Sequence, residues 1–172
     1  MQTQPRIAFY TFGVLIEPVG HAAVQGFVDR IAAVYAAADG NAGFFGQSIR
    51  NVETWEHSWG PRVIPKCAPA GFGLEQMAMT VSLWRDLESV ATFAYGGAHG
   101  EALSKRRDWF KPASYPGYVA WWVDGQHRPN FSEAADRLDL LHANGSTPAA
   151  FTFRKAFDAS GAPVQLQLAR PQ

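Results

Sequence analysis

Among its 172 residues the chain has a single cysteine, Cys67. It can therefore form no internal disulfide and no zinc cage built on several thiolates. Such sparing use of cysteine suits a reducing compartment, and the cytoplasm is the expected location. Net charge is missing as well: 15 Lys and Arg balance 15 Asp and Glu, giving a formal charge of +0 and a pI near 7.0. Neutrality argues against the broad basic footprint that nucleic acid or anionic lipid requires. The one dense basic run, Lys105-Arg106-Arg107, is too short to supply it. No stretch reaches the ~20 apolar residues that span a bilayer. The apolar run from Ile7 to Ile16 has no basic lead-in and ends at Glu17-Pro18, so it reads as a strand and not as a signal peptide. Neither nucleic acid nor membrane is an expected partner. Phosphate-binding and nucleophile-elbow signatures are absent, and the histidines at 21, 57, 99, 127 and 142 include no i,i+4 pair that would clasp a metal from one helix.

What the chain does have is core material, 47% hydrophobic and 13% aromatic residues, in a length that suits a single domain over residues 1–172. Arg6 to Ile16 is aromatic and β-branched and predicts strand one. Apolar residues at Val24, Phe27, Val28, Ile31, Val34 and Tyr35 predict a helix from His21 to about Ala38, stopped by Asp39-Gly40-Asn41-Ala42-Gly43. Phe44 to Val52 predicts a second strand. Glu53 to Gly73 reads as an irregular excursion studded with Trp55, Trp59, Pro61, Pro65 and Pro69, and long loops of this kind are often functional. Strand character resumes from Met77 to Trp84, a helix runs from about Asp86 to Trp109, and Gly117 to Val123 is a strand. Asn130 with Glu133 three residues on predicts a capped helix start, and Asn144-Gly145 its stop. Phe151 to Phe157 is a final extended segment.

Strand, helix, strand, strand, helix, strand is the ferredoxin-like order, an α+β antiparallel sheet with both helices on one face. Its other face needs a cover, and a second copy of the chain is the simplest one, so a homodimer is expected.

Chemistry concentrates between Thr92 and Phe110. On one continuous helix Tyr95, His99 and Arg106 fall four and then seven residues apart and share a stripe. A hydroxyl, an imidazole and a guanidinium on one side can donate, accept, exchange a proton near neutral pH and hold an anion. The bland alternative is a hydrogen-bonded histidine and two solvated arginines. Gly96-Gly97 weakens the helix by roughly 1 kcal/mol per residue against alanine, which either a close approach or a plain break would explain. Adjacent Trp121 and Trp122 must point to opposite faces of their strand.

The stretches Ser82-Leu-Trp84-Arg-Asp-Leu-Glu-Ser, Phe93-Ala-Tyr95 through His99 to Arg106-Arg-Asp-Trp109-Phe110, Val119-Ala-Trp121-Trp122-Val with Gly125-Gln-His127-Arg-Pro129, and Asn144-Gly-Ser-Thr147-Pro148-Ala-Ala-Phe151-Thr-Phe153 carry a resemblance. Together they resemble an uncharacterised family of the dimeric α/β-barrel superfamily, which is related to antibiotic-biosynthesis-type monooxygenases. The resemblance implies an extra C-terminal helix on a ferredoxin-like core and a homodimer. It also implies a small hydrophobic or aromatic molecule bound between sheet and helices. It makes His99 a general base, with Tyr95 orienting it and Arg106 neutralising an oxyanion, in a pocket walled by Phe9, Trp84, Trp109, Trp121 and Trp122. The function it implies is a monooxygenase-like oxidoreductase working with no cofactor. Two alternatives stay open: a haem b protein with His99 as axial ligand, and a non-catalytic binding or structural dimer.

Overall fold

The computed structural model describes residues 4–167. Its centre is a four-stranded antiparallel sheet built from β1 (Arg6–Val14), β2 (Phe44–Gln47), β3 (Met77–Trp84) and β4 (Tyr118–Val123), in the order β2-β3-β1-β4. Ile7 pairs with Trp84 on one side and Trp122 on the other. With the helices included this is the expected ferredoxin-like arrangement.

The period of two along the strands makes two apolar faces. Ala8, Tyr10, Phe12, Met79, Val81, Val119 and Trp121 point one way, and Ile7, Phe9, Trp84 and Ala120 the other. The second face carries the helices of the ferredoxin plan: α2 (Ile31–Asp39), which follows the short α1 (Gln25–Val28), then α3 (Leu87–Tyr95) and α4 (Gly97–Ser104). The first helix is thus broken into pieces and the second strand is shorter than the sequence suggests. Beyond Gln47 the chain leaves the sheet in a hairpin, with Ser58 N–H donating to the Ile49 carbonyl and Asn51 N–H to that of Glu56.

The first face is the main departure from expectation. It is not left open for a second copy: α5 (Phe131–Asn144) and the loop after the hairpin cover it within the same chain. Phe131, Ala134, Leu138 and Leu141 supply the buried stripe of α5, at helical spacing, and pack with Tyr10, Val119 and Trp121. Burying side chains of this size stabilises by about 1.5–3 kcal/mol each. Polar ties fix the helix on the sheet. Trp121 Nε1 donates to Glu133 at 2.8 Å, Arg137 to the Ala149 carbonyl, and the Asp139 carboxylate accepts from the backbone N–H groups of Lys66 and Cys67. The requirement that led to a face-to-face homodimer is therefore met in cis, and any dimer would need another surface. The segment after α5 returns to the other side, where Phe151 bridges Ala120 and blunts the β4 edge, and β5 (Ala156–Phe157) pairs with β6 (Pro163–Val164).

Candidate functional site

The long helix expected from Asp86 to Trp109 is interrupted at Gly96, whose backbone is extended at φ −107° and ψ 167°. The glycines are what permit this. A Cβ on Gly96 would lie 2.7 Å from the Thr92 carbonyl oxygen, one on Gly100 would lie 2.5 Å from that of Tyr95, and Gly97 has φ +49°. Break and close backbone approach are both present. The interruption dissolves the stripe. Tyr95 ends α3, packs edge-on against Phe153 and brings its hydroxyl 3.5 Å from that of Tyr118. Arg106 lies in a separate turn, exposed, its guanidinium bonded to the Leu103 carbonyl. Among the described residues neither makes a hydrogen bond or ring contact with His99.

His99 has a defined environment of its own. Its Nδ1 is 2.7 Å from the Ala94 carbonyl oxygen. A carbonyl only accepts, so Nδ1 carries the proton, and the lone pair of the neutral ring lies on Nε2. Nε2 makes no hydrogen bond among the described residues. The ring packs 4.8 Å from Phe93, which continues to Trp84 at 4.9 Å and from there to Phe44 at 4.9 Å. Burial in this aromatic row lowers the His99 pKa below its usual value, and the Ala94 contact pulls it part of the way back. The imidazole is accordingly neutral at pH 7. The same hydrogen bond also satisfies a carbonyl near the C-terminal end of α3, where helical partners run out.

The aromatic residues assigned to one pocket divide among three places. Phe9 joins Tyr95, Tyr118 and Phe153 on the helix side of the sheet, with ring centroids 5.0–6.0 Å apart. Burial holds the Tyr118 hydroxyl well above the usual tyrosine range. Trp122 is on that side too, its Nε1 donating to the Phe157 carbonyl, whereas Trp121 faces α5 across the sheet. The pair does point to opposite faces. Trp109 is buried in a third cluster with Leu15 and Val24. Only Trp84 connects to His99, through Phe93. Among the described residues, shallow clefts of about 190 and 230 Å³ open at Arg6, Phe45 and Arg85 and at Trp59, Arg128 and Asn130. His99 lines neither of them.

Sequence reasoning missed a second group of polar residues under the 53–73 loop: Tyr10, His57, Arg62 and Cys67. The Tyr10 hydroxyl and both ring nitrogens of His57 are buried without hydrogen-bond partners. The Cys67 thiol is pushed up to about 12 by burial and by its bond to Asp139, which makes it unreactive. His57, Arg62 and Cys67 fall five positions apart on irregular chain and Tyr10 lies 47 residues before the first of them on β1, so no periodic signal marks the set. The long loop itself was the only indication.

A model of the domain of unknown function DUF3291 matches residues 6–167. The chain belongs to the DUF3291 family. No curated protein matches it. The crystal structure of NE2512, a protein of unknown function from Nitrosomonas europaea, is similar over 74% of this chain and 95% of that one, at 9% identity and a TM-score of 0.43. Among the described residues of this DUF3291 domain no group of three or more His, Cys, Asp or Glu is arranged to hold a metal ion, and no helix is long and apolar enough to cross a membrane.

Proposed function

We propose that this domain is a small-molecule enzyme, a monooxygenase-like oxidoreductase in which His99 Nε2 takes a proton from an aromatic or similarly acidic substrate. The observation that carries the reading is the anchored, neutral imidazole. With Nδ1–H held by Ala94 and burial opposing the charged form, the free lone pair on Nε2 is oriented before any substrate arrives. Phe93 and Trp84 offer an aromatic wall beside it. Transfer of a phenolic or enolic proton to Nε2 leaves an electron-rich anion, the kind of species that reacts with molecular oxygen without a metal. Tyr95 and Arg106 take no part in this version. The substrate anion is held by the imidazolium it has just created.

The same anchoring would suit an axial ligand, because a backbone acceptor on Nδ1 fixes the ring and leaves Nε2 for iron. The anchored ring is the observation that supports the ligand end of this reading. A propionate partner would have to be Arg106 or Arg107, and both lie exposed, Arg106 bonded to the Leu103 carbonyl. Haem is the second reading for that reason.

One pair of titrations separates them. Quenching of tryptophan fluorescence by 1-naphthol, with naphthalene as the control that has no proton to give, is measured on wild type and on His99→Gln, which keeps a donor for Ala94. The base reading predicts that the variant binds naphthol about tenfold more weakly, the worth of one good hydrogen bond, and naphthalene equally well. Equal naphthol binding by both proteins contradicts it. A Soret band on adding hemin, lost in the variant, selects the haem reading instead.

A further inference from the structure

The polar group beneath the 53–73 loop is on the opposite side of the sheet from His99, and its reading does not depend on that of His99. Tyr10 is fully buried with its hydroxyl unpartnered, and both ring nitrogens of His57 are buried and unpartnered. Orphaned polar atoms of this kind are rare in folded interiors and point to something that should be bonded there. Both side chains gather round one ring, Phe131 at the start of α5. His57 meets it edge-on at 5.0 Å and Tyr10 at 6.4 Å.

Arg62 lies within electrostatic reach of both. One of its amino groups donates to the Leu74 and Met77 carbonyl oxygens, both neutral partners. Glu75 is felt only at longer range, and among the described residues no carboxylate forms an ion pair with Arg62. A second cation, Arg50, stacks on Trp55 and also acts on His57. The Asp139 carboxylate acts on Tyr10 more strongly than Arg62 does, but its two oxygens are taken by the N–H groups of Lys66 and Cys67, and it accepts from neither Tyr10 nor His57. The local inventory is thus rich in donors: the Tyr10 O–H, one His57 N–H and the remaining guanidinium N–H groups of Arg62. What the Tyr10 and His57 donors lack among the described residues is an acceptor.

We propose that Arg62, His57 and Tyr10, where the 53–73 loop meets the sheet, hold the carboxylate of a small organic acid. A carboxylate matches the planar fork of one guanidinium and leaves no second charge to compensate. Its organic body lies against Phe131 and the apolar residues around it. The loop over the site is held by Arg62, by the Asp139 contacts to Lys66 and Cys67 and by its partly buried aromatics, none of which belongs to the ladder of the sheet.

Sodium benzoate is the probe, with benzamide as the uncharged control and inorganic phosphate as the alternative anion, on the full chain. Benzoate should raise the melting temperature and shift the NMR titration midpoint of His57 upward, since an anion opposes the two arginines that, after burial, hold it low. Benzamide should do neither. Tyr10→Phe, which removes only the hydroxyl, and Arg62→Gln should each weaken benzoate binding about tenfold or more. Arg62→Gln decides the matter should Tyr10→Phe fail to fold. A benzoate effect that leaves the His57 resonance unmoved, binding by phosphate alone, or a crystal structure in benzoate with only a water on Tyr10 and His57 would each overturn the proposal.

Discussion

His99 and His57 are both kept below the usual histidine pKa, His99 by burial and His57 by burial together with Arg62 and Arg50. The sign of the consequence is fixed. In the unfolded chain each titrates near 6.5, so as pH falls below that value the unfolded state takes up protons that the folded state refuses, and stability declines. Both contributions are fully present above about pH 6.5 and fade as the pH drops through the folded-state values. Denaturant unfolding measured from about pH 7.5 to 5 should therefore show a falling stability that His99→Gln makes shallower. An unchanged slope would mean that His99 is no less basic in the folded protein. His99 could be found in the sequence because it is a titratable group in an aromatic stretch that carries a family resemblance. Its partner could not. The Ala94 carbonyl is backbone and has no letter of its own, and the supposed partners Tyr95 and Arg106 depended on a helix that Gly96 ends. Tyr10 and His57 were hidden for a different reason, since which polar atoms are left without partners depends on packing between distant segments.

Short elements were read best where local chemistry alone decides them. Asn130 Oδ1 accepts from Glu133 N–H at 2.9 Å, so Asn130→Ala should cost about 1 kcal/mol in chemical denaturation. A loss below a few tenths would show that the cap contributes nothing. The reciprocal half of the expected capping box is not formed, because Glu133 is drawn to Trp121 and His127 instead. A tertiary bond to a buried indole has overridden a local one. The α3–α4 break is the converse case. Gly96, Gly97 and Gly100 were visible, but whether they bend a helix or end it depends on the carbonyls they approach. The 53–73 loop has no period to read, and its place on the sheet is set by bonds such as that from Cys67 N–H to Asp139, 72 residues away.

At the scale of the whole molecule, the alternation along four strands was enough to give the sheet and its order. The covering of its first face was not, since α5 was foreseen as a helix but not as the lid of that face. Its stripe of Phe131, Ala134, Leu138 and Leu141 has no address written in it, and only the ties of Glu133, Arg137 and Asp139 direct it there. With both faces covered in cis, the chain should stay at its single-subunit mass of 18.8 kDa at micromolar concentration and still hold its ligand. The most direct test of the central claim is a native mass spectrum of the full chain after exposure to a small-molecule extract, for wild type beside His99→Gln. The account predicts one subunit carrying a small aromatic or apolar adduct that the variant loses. The same adduct on both proteins that also survives Arg62→Gln, or none on either, would contradict a site organised around His99.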